Sequence, residues 1–596
     1  MIAEIYPLLR LPSRFEYFDY LIPENLKVST GDLVKIVFRG KKVLGLVKST
    51  KDSSTIEKLA PIQEVVASSF FTLEDILRVE SIATALVQSP ASILNTALQG
   101  FKHRGGKVAI IERPSRSLTV SSTVVGEIKQ TLMNLEVSDN IFSQTSPEGA
   151  ITIASILSKK VAQQILVLVP RPRDAIALTG LIDLGDAVAI LHGQMSEVER
   201  DSVIAHWQSG KIKTLIGTKQ ASLLPANKID AIVVINTESE DHWSWDRNPR
   251  YDARLAVELL ARQHRAKIVF SAPLPRVSDL ANKEREILWS VRPSCQVASL
   301  KAQEQRSTIP FVTESLNRAI ADTLQKGQSV LLSYNRKGFA GRLQCNNCGH
   351  IPFCGTCGNV PFVRQNDLKC AVCQTEMWIP VNCPSCKRAT LNEKGIGNKR
   401  MQAELQKAFP GIDVVVIEKS DEQPVPPKQP TIVLATEYYF RQVHTPFLKS
   451  TYGLIAELAF DLHLAHPHFD ASEVAAERLH RLLRITEQQH AQCIIQTWLP
   501  EQVQSMLKPK KFLADELAIR KTYNLPPAMN RLTIKPSVAQ PIVDLLNLKH
   551  NVQAEQMDDS TIIRYAMDQG GVVADVLKTL PPKFIIVPEI ISYHTK

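Results

Sequence analysis

Cys345-Asn346-Asn347-Cys348, Cys354-Gly355-Thr356-Cys357, Cys370-Ala371-Val372-Cys373 and Cys383-Pro384-Ser385-Cys386 stand in one stretch, separated by five, twelve and nine residues. A tetrahedral zinc ion takes four thiolates and each Cys-x-x-Cys turn presents two, so four turns complete two all-sulfur sites. Joining the outer turns on one ion and the inner turns on the other needs the shortest chain excursions. That assigns Cys345, Cys348, Cys383 and Cys386 to the first zinc, and Cys354, Cys357, Cys370 and Cys373 to the second. Ligation by adjacent pairs is the alternative. Gly349 and Gly358, each next to a second cysteine, suit such turns. His350 reads as a surface residue of the ribbon, since eight cysteines already fill both ions. With no coordination position left open, the two Zn2+ are structural and no catalytic residue is assigned.

Outward from this stretch, 596 residues exceed what one core supports, and three to five domains are expected. A hydrophobic fraction of 44% and a charged fraction of 22% are those of a water-soluble globular protein. No apolar run approaches the roughly 20 residues of a membrane span, and the start MIAEIYPLLR lacks a signal-peptide pattern. A cytoplasmic protein without a membrane partner is expected. The other two cysteines, Cys295 and Cys493, lie far apart in sequence on apolar segments, which speaks against a disulfide framework. A net charge of +10 biases the chain toward a polyanionic partner.

The fold class is α/β and multidomain. Residues 1–68 alternate short β-rich runs with turn residues Pro23, Gly31 and Gly40, predicting a small β domain. Residues 69–137 carry helical spacing from Thr72 to Ala97, then the basic linker Lys102 to Lys107 and a strand at Val108 to Ile111, predicting a winged-helix-like module. In 138–300 the apolar runs Ile165 to Val169, Ala187 to Leu191, Thr214 to Ile216, Ile229 to Ile235 and Lys267 to Phe270 alternate with helical patterns, as in a parallel sheet covered on both faces. A second such set, Ser329 to Ser333, Val414 to Ile417, Thr431 to Ala435, Gly453 to Ile455 and Cys493 to Thr497, occupies 301–340 and 390–505. The cysteine stretch, 341–389, is inserted in it. Ser420 to Pro430 reads as a loop, and 506–596 as a small α+β domain ending in a strand near Phe584 to Val587.

Two consecutive α/β domains with a zinc insertion in the second suggest a two-lobed helicase core with RecA-like lobes. Leu332-Ser333-Tyr334-Asn335-Arg336-Lys337-Gly338-Phe339 ahead of the cysteines and Gly395-Ile396-Gly397 after them resemble the PriA family of replication-restart proteins. Phe18-Asp19-Tyr20-Leu21-Ile22-Pro23, Leu191-His192-Gly193, Ile216-Gly217-Thr218-Lys219, Pro249 to Arg254, Glu516-Leu517-Ala518 and Leu525-Pro526-Pro527 follow the same family in collinear order. The resemblance implies a β domain that captures the 3′ end of a nascent strand through Phe18, Asp19 and Tyr20. It implies a basic, aromatic loop at Arg250, Tyr251 and Arg254, beside Trp243 and Trp245, that meets single-stranded DNA. An aromatic ring can stack on a base and a carboxylate can accept a bond from a terminal hydroxyl. The implied partners are branched and single-stranded DNA at replication forks, primosome and replisome-loading proteins, and single-stranded DNA-binding protein.

The family would also bring ATP and Mg2+, and here the chain departs from it. No G-x-x-x-x-G-K-[ST] occurs; the corresponding segment is Ser143-Gln144-Thr145-Ser146-Pro147-Glu148-Gly149-Ala150, where Gly149 takes the place of the phosphate-binding lysine and Ala150 that of the magnesium-binding hydroxyl. The acidic motif has become Asn236-Thr237-Glu238-Ser239, and the arginine-rich motif Arg484-Ile485-Thr486-Glu487-Gln488. Loss of an arginine finger alone costs on the order of 10³ to 10⁵ in rate. The expectation is a fork-recognising platform for primosome assembly without helicase activity of its own. The alternative is an ATP-dependent 3′-5′ DNA helicase using unusual phosphate contacts.

Overall fold

A computed structural model describes residues 1–12, 17–99, 101–102, 122–160, 163–179, 187–244, 248–290, 295–301, 307, 309, 312–334, 343–345, 347–364, 367–370, 372–389, 391–393, 398–417, 430–440, 452–464, 468–557, 559–581 and 583–589. The chain divides into two units: 1–272, 281–288 and 526–596 form one, and 273–280 and 289–525 the other. The expected strand Val108 to Ile111, Trp245, Asn335 to Phe339, Gly395 to Gly397 and most of the loop Ser420 to Pro430 lie outside the described residues.

In the first unit, strands Ile2–Pro7, Phe18–Leu21, Leu33–Phe38, Lys41–Lys51 and Glu64–Ala67 form an antiparallel five-stranded sheet. Ala3, Ile5, Tyr20, Val34, Ile36 and Val47 share one small core, following the alternation of the sequence. The helical stretch predicted from Thr72 is two helices, Leu73–Leu86 and Pro90–Ala97. Thr72 and Asp75 cap the first reciprocally. Its C-cap Val87 turns left-handed at φ 52°, and Pro90 opens the second. Arg78 fastens the first helix to the layer beyond, donating to the carbonyls of Ser222 at 3.2 Å and Leu224 at 3.0 Å and to Gln263 Oε1 at 2.8 Å.

Seven parallel strands follow, in the order Glu286–Leu288, Asn140–Ser143, Lys267–Ser271, Ile229–Ile235, Gln164–Leu168, Thr214–Gly217, Val188–Leu191. The five predicted runs are all present. The two short strands Asn140–Ser143 and Glu286–Leu288 were not predicted; they are too short and too polar to show as apolar runs. The helix Ser122–Asn134 packs against the helix Pro147–Lys160 of this layer, although its sequence precedes the expected boundary at 138. A four-stranded antiparallel sheet, ordered Val552–Gln556, Thr561–Tyr565, Asn530–Lys535, Ile585–Glu589, is covered by helices Gln540–Asn547 and Gly570–Leu577.

The second unit is built on six parallel strands in the order Gln296–Ser299, Gln492–Thr497, Tyr452–Glu457, Ser329–Ser333, Thr431–Ala435, Asp413–Ile417. Two expected boundaries shift. Gln296–Ser299, expected before the limit at 300, pairs with Ile494–Thr497 of this sheet, because an edge strand is assigned by its ladder and not by its neighbours in sequence. Helices Pro500–Met506 and Pro509–Thr522 bury Val503, Met506, Phe512 and Leu513 in this unit's core, so the small terminal domain begins later than 506. The same pairing sets Cys295, the residue before Gln296–Ser299, beside Cys493 of the adjacent strand, far apart as they are in sequence. No helix among the described residues is long and apolar enough to cross a membrane.

Candidate functional site

Each Cys-x-x-Cys segment closes the same turn. The N–H of Cys345, Cys354, Cys370 and Cys383 donates to the carbonyl of His350, Asn359, Thr375 and Arg388, at 2.8 to 2.9 Å. The N–H of Gly349, Gly358, Gln374 and Lys387 donates back to the first cysteine's carbonyl at 2.8 to 3.1 Å. That residue is left-handed in every turn, with φ 74°, 74°, 61° and 62°. Glycine meets this demand without a Cβ penalty in two turns, and the other two carry a side chain there.

The turns bring eight sulfur atoms into two groups. Cys345, Cys348, Cys383 and Cys386 form one and Cys354, Cys357, Cys370 and Cys373 the other, with the sulfurs of each group within 4.8 Å of one another. The cross-turn separations are 3.6 Å for Cys345–Cys386 and Cys348–Cys383, and 3.4 Å for Cys354–Cys373 and Cys357–Cys370. Tetrahedral Zn–S bonds of about 2.3 Å place thiolates about 3.8 Å apart, so both groups fit a four-thiolate ion with slight expansion. The outer turns pair with each other and so do the inner ones; the alternative of first with second and third with fourth is not what the sulfurs form. His350 contributes its carbonyl to a turn and is outside both groups. The first group rests on the strand pair Leu343–Cys345 and Leu391–Glu393; the second sits beside the three-stranded sheet Phe362–Arg364, Asp367–Lys369, Glu376–Trp378.

At the N-terminal sheet, Asp19 lies opposite Glu4, and Glu4 lies opposite Ser49 on its other side. Three strands thus turn these polar side chains to one face, away from the core that takes Tyr20. Lys51 Nζ bridges the two carboxylates, 2.9 Å from Glu4 Oε1 and 2.9 Å from Asp19 Oδ2. Ser54 Oγ donates to Asp19 Oδ2 at 2.5 Å, and Ser49 Oγ to Glu4 Oε2 at 2.5 Å. Burial raises the pKa of Asp19, but the bonds from Ser54 and Lys51 outweigh it and the net shift is downward, so the carboxylate is ionised. Glu4 and then Asp19 raise the pKa of Lys51 in return.

The sequence-predicted DNA residues divide. Phe18 is half-buried, its ring edge-on to Phe38 with centroids 4.9 Å apart, and Asp19 is half-buried on the polar face. Tyr20 is 4% exposed and its hydroxyl donates to Val37 O at 3.1 Å, so its ring supports the sheet and has no free face for a base. Arg250 is half-buried, its N–H bonded to Gln88 Oε1 at 2.9 Å. Tyr251, 1% exposed, and Arg254, 5% exposed, belong to the interior. Arg254 forks onto Asp252 with two bonds of 2.8 Å and reaches Thr237 O at 2.6 Å. The correction has a plain cause: Asp252 caps the helix Ala253–His264, and its fixed carboxylate draws the adjacent guanidinium inward. Lys51, Ser54 and Glu4 escaped the sequence reading, since charged and hydroxyl residues in a solvated strand and loop carry no spacing signal.

The segment aligned with the phosphate loop joins a strand to a helix. Between the strand Asn140–Ser143 and the helix Pro147–Lys160 only Gln144, Thr145 and Ser146 intervene. All three are buried. Ser146 Oγ accepts from Gly149 N–H at 3.1 Å, the Ser271 hydroxyl donates to Thr145 O, and Pro147 has no N–H. A Cβ on Gly149 would lie 2.1 Å from Thr145 Oγ1 and 3.0 Å from Val124 Cγ1, so a lysine has no room at the place where the family carries one. Gly149→Ala is expected to lose about 1–3 kcal/mol of stability from this overpacking, read as a lower unfolding midpoint of the first unit. Asn236, where the acidic motif begins, is left-handed at φ 52°. Arg484 is buried and donates to Glu487 Oε2 at 3.1 Å.

Parallel sheets in both units, an antiparallel N-terminal module and two four-cysteine clusters define a multidomain α/β protein with a cysteine ribbon able to hold metal ions. Residues 8–99 match the 3′ DNA-binding domain (3′BD) of PriA. The chain is 24% identical over 552 residues to replication restart protein PriA of Rickettsia felis, covering 85% of this chain and 83% of that one. It is 22% identical over 449 residues to that of Bacillus subtilis, covering 69% and 54%. Over most of its length the chain is similar to replication restart proteins named PriA. Among solved structures, the Escherichia coli DExH-box NTPase HrpB aligns over 65% of this chain and 42% of that one at 13% identity and a TM-score of 0.37, a likeness too slight to decide anything.

Proposed function

We propose that this chain recognises stalled or repaired replication forks and serves as the platform on which the replication machinery is reloaded, without hydrolysing ATP. Asp19 and Phe18 meet the 3′ end of the nascent strand, Arg250 meets DNA, and two Zn2+ hold the cysteine ribbon. Primosome and replisome-loading proteins and single-stranded DNA-binding protein are the protein partners. The observation that carries the platform reading is the three-residue turn at Gln144 to Ser146, buried and closed by Ser146 on Gly149. Wrapping a triphosphate takes a longer glycine-rich loop with its N–H groups turned inward, and a lysine to neutralise the charge.

The test is ATP hydrolysis by the zinc-loaded chain with and without a fork carrying a nascent leading strand, with fork binding measured in the same samples. Tight binding with no fork-stimulated turnover is expected. Stimulated turnover would favour the 3′-5′ helicase reading instead. Asp19→Ala is expected to weaken binding about tenfold for forks ending in a 3′-hydroxyl and little for forks ending in a dideoxynucleotide, the size of one hydrogen bond to a charged acceptor. Equal loss on both ends would make Asp19 structural.

A further inference from the structure

Both donors to Asp19, Ser54 Oγ and Lys51 Nζ, land on Oδ2, and among the described residues none reaches Oδ1. The carboxylate, its side chain 9% exposed, is therefore pinned through one oxygen while the other takes no donor among the described residues. Lys51 is itself held by the central strand: its second bond goes to Glu4 Oε1, while Ser49 fixes the other oxygen of Glu4. Lys51 is long and one-third exposed, and a side chain of that kind keeps one geometry only when two partners define it. It also separates two carboxylates that face each other across a strand pair and would otherwise repel.

We propose that Lys51 and Ser54 are positioning residues for Asp19, holding its Oδ2 so that Oδ1 points at the terminal hydroxyl of a DNA strand. This rests on the reading of Asp19 given above. A carboxylate already fixed loses little rotamer freedom when the strand end arrives, so the hydrogen bond to the hydroxyl is retained nearly in full. An ionised Asp19, acceptor-only on both oxygens, offers Oδ1 to a donor and nothing to an end that lacks one. Lys51 and Ser54 then act on selectivity for the strand end and not on the general hold on DNA.

The experiment is equilibrium binding of the full zinc-loaded chain to two forks that differ only in the last nucleotide of the nascent strand, 3′-hydroxyl or 2′,3′-dideoxy. The unmodified chain is expected to prefer the hydroxyl end about tenfold. Lys51→Met and Ser54→Ala should each bring that ratio to about twofold while leaving affinity for the dideoxy fork in place, and Lys51→Arg should keep most of the preference. Ser54→Ala leaves the Glu4–Lys51 bridge intact, so it stands even if loss of Lys51 disturbs the sheet. An unmodified chain without preference would overturn the 3′-end reading and this inference together. A preference that survives in both Lys51→Met and Ser54→Ala, or an equal fall on both forks, would overturn the positioning role alone.

Discussion

Replacing Cys345 and Cys348 by Ser is expected to release one of two bound zinc ions and to unfold half of the ribbon. Hydroxyls are poor ligands for zinc beside thiolates, and two lost ligands leave a site that cannot close. Binding of structural zinc contributes about 10–16 kcal/mol in small zinc domains at neutral pH, far more than the short strands around it supply. The strand pair Leu343–Cys345 and Leu391–Glu393 should lose hydrogen-exchange protection, and the sheet around Leu368 should keep it. Metal content by mass spectrometry reads the stoichiometry. Replacing Cys383 and Cys386 as well should remove no further ion, because these four sulfurs form one group. Loss of both ions in that quadruple variant would mean ligation by adjacent turns. Retention of both ions in the first variant would sink the metal assignment.

The second large effect lies in the core of the second unit. Arg478→Met is expected to cost about 3–5 kcal/mol, because it takes the guanidinium partner from the fully buried Glu457 and leaves His463 Nε2, 3.7 Å away, as its remaining ionisable neighbour. Glu457 is fully buried at the end of the strand Tyr452–Glu457 and accepts from Arg478 Nε and Nη2, both at 3.2 Å. The same Nη2 reaches Ser333 Oγ at 2.5 Å on the neighbouring strand Ser329–Ser333, so one guanidinium ties two central strands. Hydrogen exchange of those strands and the denaturation midpoint of the unit are the readouts. Adding Glu457→Gln to Arg478→Met should recover part of the loss, since a buried carboxylate without its guanidinium is replaced by a neutral amide. If the double variant is no better than the single one, the cost belongs to packing of the arginine stem against its helix.

The parallel strands were legible because they are continuous apolar runs that water cannot tolerate outside a sheet. Glu286–Leu288 and Gln296–Ser299 were not, because what makes them strands is a distant neighbour such as Ile141 or Ile494. The break at Val87 is a further example: apolar spacing continues through it, and only the left-handed C-cap and the proline at 90 end one helix and start another. At the site, Phe18, Asp19 and Tyr20 were correctly ordered by alternation, which set Asp19 apart from the two rings. Alternation says which face a side chain takes and not whether that face is covered. Tyr20, Tyr251 and Arg254 were offered to DNA by the family resemblance, which does not record burial, and are buried.

Composition and spacing alone established two four-cysteine groups, two parallel α/β sheets, the absence of a phosphate-binding lysine and the family resemblance, since each depends on residue type and local period. The tertiary structure decided the rest: which turns pair, that Gly149 is walled in by Thr145 and Val124, and that Lys51 stands between Glu4 and Asp19. Sulfur pairing, steric room and shared hydrogen bonds are properties of atoms brought together from distant places in the chain, and their separation in sequence carries no record of the few ångströms between them.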